Sequence, residues 1–224
     1  MNNAGQLIGK TIDALDGEIG TVDDLFFDDQ TWSIRYFVVE TGKWLDGRRV
    51  LVAPESIVKP WHHQPAVSVK LTKEQIQSSP DIDMGMPVSR AAEELLHRHY
   101  QWTPYWDPTI LPAAPPALPL MEDHHEAGTT ADALGDGRLR SANQLGGYQV
   151  KAGDDEVGHV EDLLLDDDLS RILFLVIEVK GWLFGKRVLA GPSLISRVDW
   201  PASVVHVSGN RQALKNAQEY DPAA

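Results

Sequence analysis

Sliding the chain along itself by 138 residues superposes residues 18–57 on residues 156–195 without a gap, and 18 of those 40 positions are identical. The identities include Glu18/Glu156, Gly20/Gly158, Asp24/Asp162, Asp28/Asp166, Asp29/Asp167, Val38/Val176, Trp44/Trp182, Arg49/Arg187 and Pro54/Pro192. The offset persists outward at Leu7/Leu145, Gly9/Gly147, Val67/Val205 and Val69/Val207. A period this long marks two copies of one folding unit, near residues 7–76 and 145–214. Whatever fold the chain adopts must therefore be small enough to build in about 70 residues and must be built twice.

Within a copy the elements are short. The sequence predicts strands at Leu7–Ala14 and Glu18–Asp28 joined across Asp16-Gly17, a hairpin of Ser33–Glu40 with Arg48–Val52 turning at Asp46-Gly47, a short strand near Ile57–Lys59 and a closing strand at Val67–Leu71. Thr72-Lys-Glu-Gln75 has the spacing of a capping box and predicts one helical turn, with Asn210 at the equivalent start in the second copy. So many brief strands in so short a unit predict a small barrel.

Composition bounds the function. A formal charge of -13 does not suit a phosphate-backbone binder, which needs clustered Lys and Arg. The chain has no cysteine, so disulfides, thiolate chemistry and Cys-ligated metals are excluded. The first residues have no basic segment leading into an apolar run, and no stretch nears the length of a membrane span, so a soluble, cytoplasmic protein is expected.

The acids of Asp23-Asp-Leu-Phe-Phe-Asp-Asp29, repeated at Glu161–Asp167, raise the question of a cation site or a catalytic pair. Alternation in a strand puts Asp24 and Asp28 on one face and Asp23 and Asp29 on the other, unless a bulge intervenes. Carboxylates on opposite faces do not converge, and the spacing lacks the Gly-centred pattern of calcium loops. These acids are read as strand-end and turn formers. The eight histidines include the pairs His62-His63 and His124-His125, and they form no ligand set; H-E-x-x-H, G-x-S-x-G, a Walker loop and G-x-G-x-x-G are all missing. No catalytic, metal or cofactor-binding residue is assigned and no cofactor is implied.

Gly17-Glu-Ile-Gly-Thr-Val-Asp-Asp-Leu25, the apolar strand ending in Val39-Glu40, and Trp44-Leu-Asp-Gly-Arg-Arg-Val-Leu51 followed by Pro54 resemble the PRC-barrel, the small β-barrel of the cytoplasmic domain of the photosynthetic reaction centre H subunit and of the small-subunit ribosome maturation factor. Ser78–Asp83, Pro87-Val-Ser-Arg90, His99–Trp106 and Leu139-Arg-Ser-Ala142 are similar to stand-alone, duplicated bacterial members, often labelled H-subunit-like. The resemblance implies no enzymatic activity. The expected fold is all-β with small helical additions: PRC-type barrels at residues 1–77 and 139–224, the second with a C-terminal helix, joined by a connecting segment, 78–138.

That segment is expected to hold a helix over residues 89–100, capped by Ser89 and with Ala92, Leu95, Leu96 and His99 on one face. Trp102, Tyr105 and Trp106 follow, then a Pro-rich and acidic linker through Gly137. The aromatic group admits a stacking ligand, and packing is the expected role.

Interaction is the remaining reading. Ile34–Val39 and Ile172–Ile177 are apolar on both faces, although a small barrel fills only one. The second copy is the more apolar, with Leu173, Leu175 and Phe184 where the first has Arg35, Phe37 and Asp46, so its outer wall is expected to pack on the other barrel, on the Leu95/Leu96 helix or on a second chain. The tips with Trp44, Arg48 and Arg49, and with Trp182, Lys186 and Arg187, add an aromatic and basic rim of anchor residues. The expectation is a non-enzymatic adaptor or assembly module, self-associating as a homodimer or binding another protein, with peripheral contact to a membrane protein possible and no nucleic acid. The alternative is a small-ligand or cation module at the barrel mouth or acidic strand ends. Enzymatic chemistry would need Asp24, Glu40 and a His to converge.

Overall fold

The computed structural model describes residues 1–59, 64–82, 88–106, 139–180, 186–209 and 217–221. Residues 1–77 and 138–224, carrying both copies, form one compact unit, and Ser78–Gly137 form a second. The Pro-rich stretch, His62-His63, His124-His125, Trp182, Phe184 and the helix expected at Asn210 lie outside the described residues.

In the first copy, β1 (Asn2–Asn3) runs into the short helix α1 (Ala4–Leu7), followed by β2 (Thr11–Ala14), β3 (Gly17–Asp28), β4 (Ile34–Glu40), β5 (Arg49–Val52), β6 (Ala66–Ser68) and α2 (Lys73–Gln77). In the second unit α3 spans Arg90–Tyr100. The second copy repeats the order with β7 (Leu139–Ser141), α4 (Ala142–Leu145), β8 (Gln149–Ala152), β9 (Asp155–Leu165), β10 (Ile172–Val179), β11 (Lys186–Ala190), β12 (Ile195–Asp199) and β13 (Val204–Val207). The strand predicted over Leu7–Ala14 is thus a helical turn followed by a shorter strand. Ile57 pairs only as a single bridge with Val69, where its counterpart opens the full strand β12.

Each copy is one strongly curved sheet, ordered β5-β4-β3-β2-β6 in the first and β11-β10-β9-β8-β13-β12 in the second. Adjacent strands are antiparallel except β2 with β6 and β8 with β13. The long central strand makes the curvature possible. Its register slips three times, at Ile19, Asp23 and opposite Arg35, and β9 slips at the counterparts Val157, Glu161 and opposite Leu173. Each bulge adds twist and bend, which wraps a short sheet around a core. Leu7, Ile19, Leu25, Phe27, Tyr36, Val39 and Val67 fill the first core, and Leu145, Val157, Leu165, Leu175, Ile177 and Val205 the second, all fully buried.

The predicted caps form. Gln75 N–H donates to Thr72 Oγ1 at 3.2 Å while Thr72 N–H donates to Gln75 Oε1 at 2.9 Å. Ser89 Oγ accepts from Ala92 N–H at 3.2 Å at the start of α3. Asp46 and Gly47 take positive φ, 52° and 71°, at the predicted tip, after a short 3-10 turn over Gly42–Leu45.

The copies exchange their first segments. β1 pairs with β9 of the second copy, Asn2 opposite Leu165 and Asn3 opposite Leu164, while β7 pairs with β3 of the first, Arg140 opposite Phe27 and Ser141 opposite Phe26.

Candidate interaction surfaces

The repeated acids serve this exchange. Asp24 follows the bulge at Asp23 and is 9 % exposed. Its Oδ1 accepts from its neighbour Leu25 N–H at 2.7 Å and from Asn143 N–H at 3.0 Å, and its Oδ2 accepts from Ser141 Oγ at 2.5 Å. Asp162 repeats the set: Leu163 N–H at 2.7 Å, Gly5 N–H at 3.0 Å and Asn3 Nδ2 at 3.1 Å. Each carboxylate thus receives the first turn of the other copy's opening helix. Burial pushes the Asp24 carboxyl above its ordinary pKa, and the hydrogen bonds from Ser141, Asn143 and Leu25 only partly offset that.

Asp28 and Asp166 are the turn formers expected from their place at the strand end. Asp28 Oδ1 accepts from Gln30 and Thr31 N–H at 3.0 and 2.9 Å; Asp166 Oδ1 accepts from Ser170 and Arg171 N–H at 2.7 and 3.2 Å. Burial works to raise the Asp28 pKa, but the Thr31 and Gln30 bonds and the Arg35 guanidinium outweigh it and hold it low. Asp29 reaches the other copy, accepting from Arg140 Nε at 3.0 Å and Trp200 Nε1 at 3.1 Å, with Arg140 stacked 4.7 Å over the Trp200 ring. Asp23 pairs with Arg49 Nε at 3.1 Å, as Glu161 does with Arg187 Nε. Reading the acids only as corners overlooked Asp24 and Asp162. The signal was the recurrence of short polar segments, Asn3-Ala-Gly5 and Ser141-Ala-Asn143, at the same offset as the acids.

The first hairpin tip borders a groove of about 380 Å3 walled by Glu18–Thr21 and Glu40–Trp44. Trp44 stands half-buried in its wall, pinned by its Nε1–H donating to Ile19 O at 2.6 Å, with Lys73 Nζ 5.3 Å from the ring centre. Arg48 Nη1 donates to Gln77 O at 3.2 Å. At the groove floor β3 and β4 approach so closely that a Cβ on Gly20 would lie 2.0 Å from Glu40 O; Gly158 stands equally close to Glu178 O. That explains why both copies keep glycine there.

A family model for the PRC-barrel domain matches residues 1–70 and 138–210, more than half of the chain and both halves of the exchanged pair. The chain belongs to the PRC-barrel family. No curated protein matches it.

In the second PRC-barrel the described part of the rim is Lys186, 3.5 Å from Glu219, and Arg187. The outer wall differs from the expectation. Leu175 is fully buried, paired with Leu163 and Ala190 on the inner face. Leu173 is the half-buried bulge residue itself, and the slip there inverts the alternation. The outward apolar set is Leu164, Val176 and Leu189 with Phe174, and Tyr220 packs on it. Leu189 N–H donates to Gln218 O and Tyr220 N–H to Arg187 O, so the C-terminal segment lies along the β11 edge. Tyr220 OH exchanges hydrogen bonds with the Asn3 amide at 2.8 and 3.0 Å, which joins this cover to the exchanged segment.

In the segment joining the PRC-barrels, α3 buries Glu93, Leu96, His97 and Tyr100, whereas Leu95 is 50 % exposed, so the buried face is one position away from the predicted stripe. The shift has a local cause: the three aromatics fold back on His97. Trp102 meets its edge at 5.7 Å, Tyr105 at 6.1 Å and Trp106 at 4.6 Å. Trp102 stacks on Tyr100, and Arg90 lies over the Trp106 ring at 4.3 Å while pairing with Glu93 at 2.8 Å. Tyr105 OH donates to Glu93 Oε1 at 2.7 Å, and burial together with that carboxylate raises the phenol pKa. The aromatic group is occupied by its own neighbours.

His159 lies 3.6 Å from Glu178, and His206 bonds Arg197 at 3.1 Å. Asp24, Glu40 and a histidine do not converge: Asp24 faces Ser141 and Asn143, while Glu40 lines the groove. Among the described residues no group of three His, Asp or Glu is placed to hold a metal ion, and no helix is long and apolar enough to cross a membrane.

Proposed function

We propose that this tandem PRC-barrel protein is a non-enzymatic adaptor that binds a protein segment in the groove beside Trp44. The observation that carries the reading is a half-buried indole, held by its bond to Ile19 O, in the wall of an open groove between Glu18–Thr21 and Glu40–Lys43. A Trp whose orientation is already fixed loses little entropy when a partner covers it, and Trp is among the commonest binding anchors. Glu18, Glu40 and Lys43 around the opening supply charges of both signs for orienting a partner.

The test places a photo-crosslinking amino acid at the exposed Lys43 of the full-length protein in its native host. A discrete crosslinked band that is lost when Trp44→Ala is added supports the adaptor; no band, or one indifferent to Trp44, overturns it. Glu18 and Glu40 in the same groove favour a second reading, a small ligand or cation. Calcium, magnesium and manganese titrations decide that one, since a ligand selective for the native state must raise the melting temperature.

A further inference from the structure

The contact between the two barrels is built twice over. Asp162 receives Gly5 and Asn3, and Asp24 receives Asn143 and Ser141; adding 138 to the first set of segment residues yields the second. Between the same two barrels Ile34 N–H donates to Ser170 O and Ile172 N–H to Trp32 O, both at 2.8 Å, around a bridge pairing Ser33 with Arg171. Those two residues are each other's counterparts at the same offset. A residue that meets its own counterpart defines an isologous, twofold contact, in which both sides present the same self-complementary surface. Each barrel with its opening segment therefore carries both the donor strand and turn and the acceptor carboxylate, and all the groups named belong to residues 1–77 and 138–224.

We propose that this surface is a docking site for a second copy of the chain: barrel 1 of one molecule seats on barrel 2 of another through the same strand exchange, closing a twofold dimer. This extends the adaptor reading to self-association and uses a different face from the Trp44 groove. The intramolecular arrangement is favoured by a tether-imposed effective concentration of the order of millimolar. Exchange is therefore scarce at micromolar protein and grows as the concentration approaches that value.

The chain has no cysteine, which makes a disulfide test clean. The bond pattern around Ser33 and Arg171 is that of a non-hydrogen-bonded antiparallel pair, with Cα atoms about 4.5 Å apart, inside disulfide range. Ser33→Cys with Arg171→Cys in the full-length chain is refolded under reducing conditions at about 1 µM and at about 1 mM, then oxidised. The expected result is intrachain closure at the low concentration and a severalfold larger share of disulfide-linked dimer at the high one. Intrachain closure alone at both concentrations overturns the proposal. A second experiment leaves the contact untouched: a site-specific protease sequence is inserted after Pro119, and the folded protein is cut. The cut halves are expected to stay together and, when refolded with isotope-labelled cut protein, to form mixed pairs; separation of the halves on cutting overturns the docking surface. Neither result bears on crosslinking at Lys43, so the two readings fail separately.

Discussion

A methyl group on Gly20 would sit 2.0 Å from the carbonyl oxygen of Glu40, and the second copy reproduces the approach between Gly158 and Glu178. No Cβ contact survives at that distance, so the strands must part. Gly20→Ala and Gly158→Ala are each expected to cost roughly 2–4 kcal/mol, in the upper part of the usual overpacking range or beyond it. Gly47→Ala is the control: its φ of 71° is left-handed, but nothing lies within 4 Å of the added Cβ, so only about 1 kcal/mol of backbone strain applies. Urea unfolding midpoints at unchanged slope check the order.

Asp24→Asn and Asp24→Ala separate charge from hydrogen bonding. Asparagine keeps an acceptor for the Asn143 and Leu25 N–H groups and removes a buried charge, so its stability at pH 7 is expected to stay within about 1 kcal/mol of the parent. Alanine leaves buried donors unpaired and is expected to cost about 2–3 kcal/mol. The pH effect has a definite sign. Because the folded pKa of Asp24 is raised, its contribution is fully present below the ordinary aspartate range and is lost as pH rises through the folded value. Stability against pH for the Asn variant should lack that loss.

Asp28 works in the opposite direction. Its folded pKa is depressed, so its contribution is present above the ordinary aspartate pKa and is lost as pH falls through the folded value. Asp28→Ala is expected to destabilise at pH 7 by about 1–2 kcal/mol, with the difference from the parent shrinking at strongly acidic pH. Melting temperatures across an acid series would show it.

Leu175 and Leu95 test the placement of the apolar strip. Leu175→Ala removes a fully buried side chain and should cost about 2–5 kcal/mol. Leu95→Glu alters a half-exposed position and should stay within about 0.5 kcal/mol. Equal effects at the two sites would contradict the burial pattern. Thermal unfolding followed by circular dichroism is sufficient.

Local chemistry was legible in the residues themselves. The box at Thr72 and Gln75, the Ser89 cap, the Asp46-Gly47 tip and the turns at Asp28 and Asp166 each involve groups a few residues apart, so short sequence is enough to suggest them. The phase of β10 was not legible, because the bulge at Leu173 is set by how β9 and β10 bend around a core. One skipped residue moved Leu175 from the expected outer wall to the inside and left Phe174 and Val176 facing out. The buried face of α3 escaped for a similar reason: His97 counts as polar until three aromatics enclose it.

By itself the chain of residues determined that one small β-unit is made twice, with its strands, turns and caps, because periodicity and turn chemistry act over short range. Which copy receives Asn3 and Gly5 was decided only by tertiary structure. Asp24 and Asp162 stand at the same repeat position, and each accepts from the residue that follows it and from an opening segment. Local sequence does not choose between them; the choice is seen only in the pairing of β1 with β9 and of β7 with β3, contacts between residues more than a hundred positions apart.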